Sequence, residues 1–127
     1  MGALLELAGE GRLPEGFSEY IDLGSGLKRV AGSQAVFLKL LKSFLSGGQT
    51  EKLKEQIRDG NIAEAAATAH GIKGVAGNLS LTKLYEAMTR FEAGLKRGEV
   101  EDALREEAFD VAARTEAYIR TLVEIAD

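Results

Sequence analysis

The sequence predicts an all-α fold, an antiparallel up-and-down four-helix bundle with a short additional N-terminal helix. Three observations lead to this prediction. The 127 residues include one proline and no tryptophan and are rich in Ala, Leu, Glu and Lys, which are good helix formers. Apolar residues recur at the i, i+3, i+4, i+7 spacing of a helix with one buried face. Short connections join the segments that have this spacing, which favours antiparallel neighbours.

The first 20 residues contain many helix-breaking residues. Apolar residues at positions 4, 5, 7 and 8 can form a short helix, but the segment is interrupted at Gly9, Gly11, Pro14 and Gly16. We therefore predict two regions in the chain. Residues 1–20 form an N-terminal arm or short helix, mobile or loosely docked, and residues 21–127 form the four-helix bundle.

The bundle region opens with a short helix predicted at residues 21–30. Asp22 is suited to the start of this helix, and Gly32 is suited to the turn that follows its end. Ser33 comes directly afterwards and is a favourable cap for the next helix. The first long helix of the bundle is therefore expected to begin at this serine.

Gly47-Gly48 interrupts the apolar stripe of this first long helix. The segment at residues 33–58 is therefore either one bent helix or two collinear helices. Its buried face is predicted from the helical spacing of its apolar residues, which are Val36, Phe37, Leu40, Leu41 and Phe44.

Three further helices complete the predicted bundle. One covers residues 62–78, and its buried face is predicted to consist of Ile62, Ala65, Ala69, Ile72 and Ala76. Ser80 or Thr82 is suited to cap the following helix, which ends at Gly98. The last helix covers about residues 99–125. The helix before it keeps one apolar phase for four turns, through Leu81, Leu84, Tyr85, Met88, Phe91 and Leu95.

Composition and charge exclude several classes of function. The chain has no cysteine, so it has neither disulfides nor thiolate metal sites, and we expect no metal. Its net charge of −4 argues against a nucleic-acid partner, which favours basic patches. No apolar run approaches the roughly 20 residues that span a bilayer, and the first residues do not resemble a secretory signal. A cytoplasmic location without a membrane partner is therefore expected.

The one histidine of the chain, His70, is predicted to face solvent. An α-helix turns by about 100° per residue, which places the imidazole about 125° away from the centre of the predicted buried face of residues 62–78. A histidine buried in the core would lie in phase with the apolar residues. His70 is therefore a candidate for an exposed chemical group.

The surface around His70 is predicted to be nearly free of side chains, apart from Lys73 one turn away. Each glycine in a helix interior costs about 1 kcal/mol relative to alanine, and such violations of a local rule tend to mark functional sites. We therefore predict a partner-binding face, and the small residues that form it are Ala63, Ala66, Ala67, Gly71, Gly74 and Gly77.

An exposed imidazole with a neighbouring lysine suits a carrier of phosphoryl groups. Neutral imidazole is a nucleophile near neutral pH and can form covalent intermediates. The ammonium group of Lys73 could pair with an incoming phosphoryl group. The spacing alone leaves two alternatives open: a surface histidine without function, and an Ala/Gly face that packs in a helical interaction or dimerisation module.

The segment AHGIKGVAGNLSLTKLYEAMTRFE resembles the signature of histidine-containing phosphotransfer (HPt) domains, a histidine followed by x-x-Lys-Gly. Two further segments are similar to this family. They are the residues before the first long helix, Ile21-Asp22…Gly26-Leu27-Lys28-Arg29, and the helix at residues 37–45. The resemblance covers about residues 17–123. It departs from the family at Ser80, where glycine is usual, and Gly71 directly after the histidine is an unusual choice.

The resemblance implies a role for each residue of the site. His70 would receive a phosphoryl group from an aspartyl-phosphate receiver domain of a response regulator and pass it to another receiver. Lys73 would help to balance the phosphate, and Gly74 and Gly77 would leave room for the receiver. Family members often carry Glu or Gln at the position of Glu92. A hairpin with its turn near residues 79–81 would bring this residue close to His70, where it could hold Nδ1–H.

The resemblance also implies partners and cofactors. The chain would act as a monomer and bind no cofactor itself, and any Mg²⁺ would belong to the receiver. A sensor histidine kinase is a further expected partner. One alternative within the same class is the phosphoacceptor domain of a chemotaxis-type histidine kinase, which an ATP-binding domain phosphorylates directly.

Overall fold

In a computed structural model, which describes residues 3–126, the protein consists of helices joined by turns, without a strand in that range. Three short helices come first: α1 (Ala3–Gly9), α2 (Phe17–Tyr20) and α3 (Leu23–Arg29). The longer helices are α4 (Gln34–Ser46), α5 (Gln49–Arg58), α6 (Ile62–Asn78), α7 (Thr82–Lys96) and α8 (Asp102–Ala126). The predicted all-α helical bundle is confirmed. Of the three short helices before it, α3 lies within the helix predicted at residues 21–30, and α1 and α2 lie within the region predicted as an N-terminal arm or short helix.

The longer helices form four columns, of which α4 and α5 together make the first. Helix α5 packs on α6, α6 on α7, α7 on α8 and α8 on α4, so the columns close into a ring. The largest fully buried side chains fill its centre: Phe37, Leu41, Leu53, Ile72, Leu81, Leu84, Met88, Phe91, Leu95 and Ile119. Burial of such side chains contributes about 1.5–3 kcal/mol each. This stabilisation offsets the low helix propensity of the glycines in α6.

The N-terminal residues 3–20 contact the bundle at several points. Leu4 and Phe17 are almost fully buried. The backbone N–H of Leu4 donates to Gln34 Oε1 at 2.6 Å, and the Tyr118 hydroxyl donates to the Glu15 carbonyl oxygen at 2.8 Å. The division of the chain at residue 20 stays a prediction, and Met1, Gly2 and Asp127 at the ends of the two predicted regions lie outside the described residues.

The break at Gly47-Gly48 separates two helices. Helix α4 ends at Ser46, Gly48 takes a left-handed conformation with φ of 67°, and α5 begins at Gln49. This confirms two helices over one bent helix. A left-handed conformation is favourable for glycine because it has no Cβ, so the second glycine of the pair sets the position of the break.

Three apolar residues that were predicted to be buried are exposed. Val36, Leu40 and Tyr85 retain 45%, 41% and 44% of their accessible surface. In α4 the buried face is centred on Phe37 and Leu41 and extends toward Leu38, away from Val36 and Leu40. Tyr85 belongs to α7. Both α4 and α7 therefore carry an apolar stripe that is wider than the part covered by neighbouring helices.

The predictions for the helix ends are partly wrong. Asp22 and Ser33 cap α3 and α4 as predicted. Neither Ser80 nor Thr82 caps α7, because Leu81 occupies the N-cap position between them; Thr82 Oγ1 instead donates to the Glu19 carbonyl oxygen at 2.8 Å. Helix α8 begins at Asp102 and not at residue 99, since the left-handed Gly98 ends α7.

Ser80 ends α6 in the position that usually holds glycine. Its φ is 57°, Ser80 N–H donates to Gly77 O, and Leu81 N–H donates to Ala76 O; these are the two hydrogen bonds of a Schellman motif. The buried Ser80 hydroxyl donates to Ser25 Oγ at 2.8 Å. Serine is therefore held in a strained conformation by its contact with α3.

We expect Ser80→Ala to lower the free energy of unfolding and Ser80→Gly to leave it nearly unchanged. Ser80→Ala keeps the left-handed strain and loses the hydrogen bond to Ser25, which costs about 1 kcal/mol. Ser80→Gly loses the same bond but relieves about 1 kcal/mol of strain, so it should match the wild type. Ala31 is left-handed too, with φ of 54°, and is exposed, so Ala31→Gly measures the strain alone. Urea denaturation would contradict this account if Ser80→Gly were no more stable than Ser80→Ala.

Gly26 is required by the packing of α3 on the core. A Cβ at this position would lie 2.6 Å from Cε1 of the fully buried Phe37 ring and 3.3 Å from the Leu79 carbonyl oxygen. Gly26→Ala should therefore destabilise the protein by about 1–3 kcal/mol. Gly24→Ala in the same helix is the matched control, because its Cβ meets only Asp22 Oδ1 at 3.7 Å. Equal urea midpoints of the two variants would show that Phe37 adjusts freely.

Candidate functional site

His70 lies on the outer side of α6, as the angular count predicts. Its side chain is 65% exposed, whereas the core side of α6 is formed by buried residues such as Ala65, Ala69 and Ile72. The small side chains of this core side let α6 pack closely against α7, its most extensive partner in the bundle. The imidazole is therefore presented to solvent from a rigid helix pair.

The carboxylate of Glu92 on α7 lies beneath the imidazole and has three cationic or donor partners. Glu92 is only 3% exposed, and its Oε2 lies 2.9 Å from His70 Nδ1. Lys73 Nζ lies 2.9 Å from Oε1, and Lys96 Nζ lies 3.0 Å from Oε2. The predicted closeness of Glu92 and His70 is thus present, whereas the proposed role of Glu92 stays a prediction.

The partners of Glu92 keep its carboxyl group ionised. Burial alone would raise its pKa, but hydrogen bonds from Lys73, Lys96 and His70 outweigh burial and lower the pKa from 4.5 to about 2. A carboxylate without a proton can only accept hydrogen bonds. His70 Nδ1 must therefore carry the hydrogen, which leaves the lone pair of the neutral imidazole on Nε2, away from the buried carboxylate.

Lys73 and Lys96 place two ammonium groups around the carboxylate that holds the imidazole. Lys73 is 23% exposed and Lys96 is 65% exposed, so the second lysine is the freer of the two. Lys96 was not predicted from the sequence. The sequence feature that could have identified it is the i, i+4 spacing between Glu92 and Lys96 on α7, at which glutamate and lysine pair favourably.

The predicted small-residue face divides into an open part and two covered positions. Ala63, Ala67, Gly71 and Gly74 are exposed. Ala66 is only 8% exposed and lies in the floor of a shallow groove between α6 and the end of α7, which His70 and Lys96 also line. Gly77 is half-buried. The partner-binding role of all six residues stays a prediction.

The three glycines of α6 differ in what requires them. A Cβ at Gly77 would lie 3.3 Å from the Tyr85 ring, whereas a Cβ at Gly71 or Gly74 would meet nothing within 4 Å. The Tyr85 ring therefore disfavours a side chain at position 77. Contacts within the chain do not explain Gly71 and Gly74, where alanine would fit and would favour the helix by about 1 kcal/mol.

Two further observations describe the chemistry that the chain offers. Within residues 3–126, the side chains of His, Asp and Glu do not gather in groups of three or more that could hold a metal ion. In the same range, the helices are too short or too polar to cross a membrane. The expectations that the chain binds neither metal nor cofactor stay predictions.

The depressed pKa of Glu92 predicts how the stability of the protein depends on pH. The unfolded chain binds this proton near pH 4.5 and the folded chain near pH 2, so the stability that Glu92 contributes is complete above pH 4.5 and is lost as the pH falls toward 2. The wild type should therefore lose roughly 3 kcal/mol relative to Glu92→Gln over this range. Urea denaturation of both proteins from pH 2 to 7 measures the difference. A difference that does not change with pH would contradict the ionised, three-partner state of Glu92.

Comparison with known families agrees with this geometry. Residues 40–125 match the family model described as the Hpt domain, and this segment contains His70, Lys73, Glu92 and Lys96. Comparisons with curated proteins and with solved structures give no match. Because the matched segment spans more than half of the 127 residues, the chain belongs to the HPt domain family, the histidine-containing phosphotransfer modules of two-component systems.

Proposed function

We propose that the protein carries a phosphoryl group on Nε2 of His70 between the aspartates of response-regulator receiver domains. The observation that supports this most is the contact between the exposed imidazole and the buried, ionised Glu92, 2.9 Å from Nδ1. Family membership supports it as well, since Hpt domains interact with receiver domains and kinases in phosphorelays. The chain thus supplies a nucleophile, and the partner supplies the reactive phosphoryl group.

The proposed transfer step follows from the tautomer of the imidazole. The lone pair on Nε2 attacks the phosphorus of an aspartyl phosphate, the N–P bond forms, the P–O bond to the aspartyl group breaks, and the aspartate leaves as a carboxylate. Nδ1 keeps its hydrogen, so the phosphorylated ring carries a positive charge. The negative charge of Glu92 stabilises this charged ring, and donation to another receiver reverses the same step.

The two lysines are proposed to offset the charge of the bound phosphoryl group. Lys73 and Lys96 both contact Glu92 at about the distance at which it contacts His70, so their ammonium groups are close to the ring. A phosphoryl group on Nε2 adds negative charge that competes with Glu92 for these cations. Any Mg²⁺ that assists the transfer is expected to belong to the receiver.

The proposal is tested by incubating the protein with phosphorylated receiver domains encoded in the same genome. Wild type should acquire acid-labile phosphate from at least one receiver, and His70→Gln should acquire none above background. His70→Gln removes the ring contact with the buried Glu92 but keeps an amide N–H donor on a mostly exposed side chain, so the free energy of unfolding should fall by no more than about 1–3 kcal/mol, and urea denaturation checks that the variant is folded. Equal labelling of wild type and His70→Gln would overturn the assignment of His70.

A further inference from the structure

The two oxygens of the Glu92 carboxylate have different partners. Oε2 lies 2.9 Å from His70 Nδ1 and 3.0 Å from Lys96 Nζ. Oε1 lies 2.9 Å from Lys73 Nζ. The imidazole and Lys96 therefore share one oxygen, whereas Lys73 contacts the other. A change in the charge of the ring acts first on Oε2, the oxygen that Lys96 also contacts.

Lys96 is also the lysine on the open side of the imidazole. Together with His70 it lines the shallow groove between α6 and the end of α7, and its side chain is 65% exposed. Among the described residues that line this groove it is the single cation. Lys73 is not one of them and is only 23% exposed. An anionic group on the exposed ring can therefore be reached by Lys96 through open space.

Phosphorylation would change the balance of charge at the site. The neutral imidazole leaves two ammonium groups for one carboxylate, so the resting site has an excess of positive charge. A phosphoryl group on Nε2 brings a charge of about −1.5 to −2, and the ring, which keeps its hydrogen on Nδ1, becomes cationic. After the transfer Glu92 has a cationic partner in the ring itself, and the phosphoryl group attracts one of the ammonium groups.

The cost of releasing the carboxylate differs between the two lysines. If Lys73 left, Oε1 would lose the ammonium group that it contacts, and an unpaired charge on a side chain that is 3% exposed is costly. If Lys96 left, Oε2 would keep its hydrogen bond from Nδ1, which the positive charge of the phosphorylated ring strengthens. Release of Lys96 therefore costs less than release of Lys73.

We propose that phosphorylation of His70 moves the Lys96 ammonium group from Glu92 Oε2 to the phosphoryl group, while Lys73 stays on Oε1. This inference rests on the proposed function of His70. Lysine has a flexible four-carbon stem, so the move takes only a change of side-chain rotamer. The ammonium group keeps its protons, and no covalent bond to it forms or breaks. Lys96 thereby stabilises the phosphorylated form more than the resting form, in which it shares Oε2 with the ring.

A titration followed by ³¹P NMR on the phosphorylated full chain identifies the lysine that contacts the phosphoryl group. A cation beside this group favours the dianion and lowers the pH at which it titrates. Lys96→Gln should therefore raise the midpoint of the ³¹P titration by roughly 0.5 pH unit, and Lys73→Gln should raise it by less. A wild-type midpoint in Lys96→Gln, or a larger change in Lys73→Gln, would overturn the proposal.

Lys83→Gln is the matched control for this titration. Lys83 also belongs to α7, and its ammonium group also pairs with a glutamate, Glu19, at 3.4 Å. It does not line the groove beside His70. Loss of a lysine from α7 as such should therefore leave the ³¹P midpoint at its wild-type value.

The equilibrium of transfer gives a second test, with the receiver domain that labels the wild type best. Lys96→Gln should lower the equilibrium constant for transfer to the chain about fivefold, the upper end for an exposed ion pair. Lys96→Arg keeps the charge and should restore the constant. The difference between wild type and Lys96→Gln should shrink in about 1 M NaCl, because salt screens exposed charges. An equal loss in Lys96→Arg and Lys96→Gln would contradict a role of the charge.

The outcomes separate this inference from the function on which it rests. If His70→Gln acquires as much phosphate as the wild type, the proposed function fails, and this inference fails with it. If labelling needs His70 but Lys96→Gln keeps the wild-type ³¹P midpoint and transfer equilibrium, only the inference on Lys96 fails. The Lys96 side chain is mostly exposed, so Lys96→Gln should fold, and urea denaturation checks this.

Discussion

The buried carboxylate of Glu92 is the group on which the rest of the site depends. An isolated carboxylate at 3% exposure would be costly to ionise, yet contacts with His70, Lys73 and Lys96 keep its pKa near 2. The same contacts determine the imidazole tautomer and position both lysines. One charge therefore organises an exposed imidazole and two ammonium groups on a surface that otherwise consists largely of small residues.

The position of Glu92 beneath His70 is a consequence of the hairpin between α6 and α7. Ser80 ends α6 with a left-handed residue, and Leu81 and Leu84 are fully buried directly after it. The turn and these anchors set the relative register of the two helices. Small residues on α6 then allow close approach, which brings two residues 22 positions apart in sequence within 2.9 Å.

Helical periodicity was sufficient to predict much of the fold and the exposure of His70, because both depend on the phase of apolar residues along each helix. It was not sufficient for properties that depend on the neighbouring helix. The exposure of Val36 and Leu40 depends on how α4 is rotated against α8. The hydroxyl partners of Ser80 and Thr82 come from α2–α3, a region of weak sequence signals. Lys96 was missed because its contact with the site is evident only once Glu92 is known to be buried beneath His70.

A stable α6 requires buried side chains, whereas an accessible His70 requires small residues around it. The bundle meets these two requirements on opposite sides of the same helix. Gly71 and Gly74 weaken α6 with no internal contact to explain them, while Ile72 and Ala76 on the other side are almost completely buried. Packing on α5 and α7 offsets the weakness, since helices in proteins depend mainly on tertiary contacts. The bare side is thus free to fit a partner, and the selectivity of the site is expected to depend on the contour of this surface as well as on the chemistry of the imidazole.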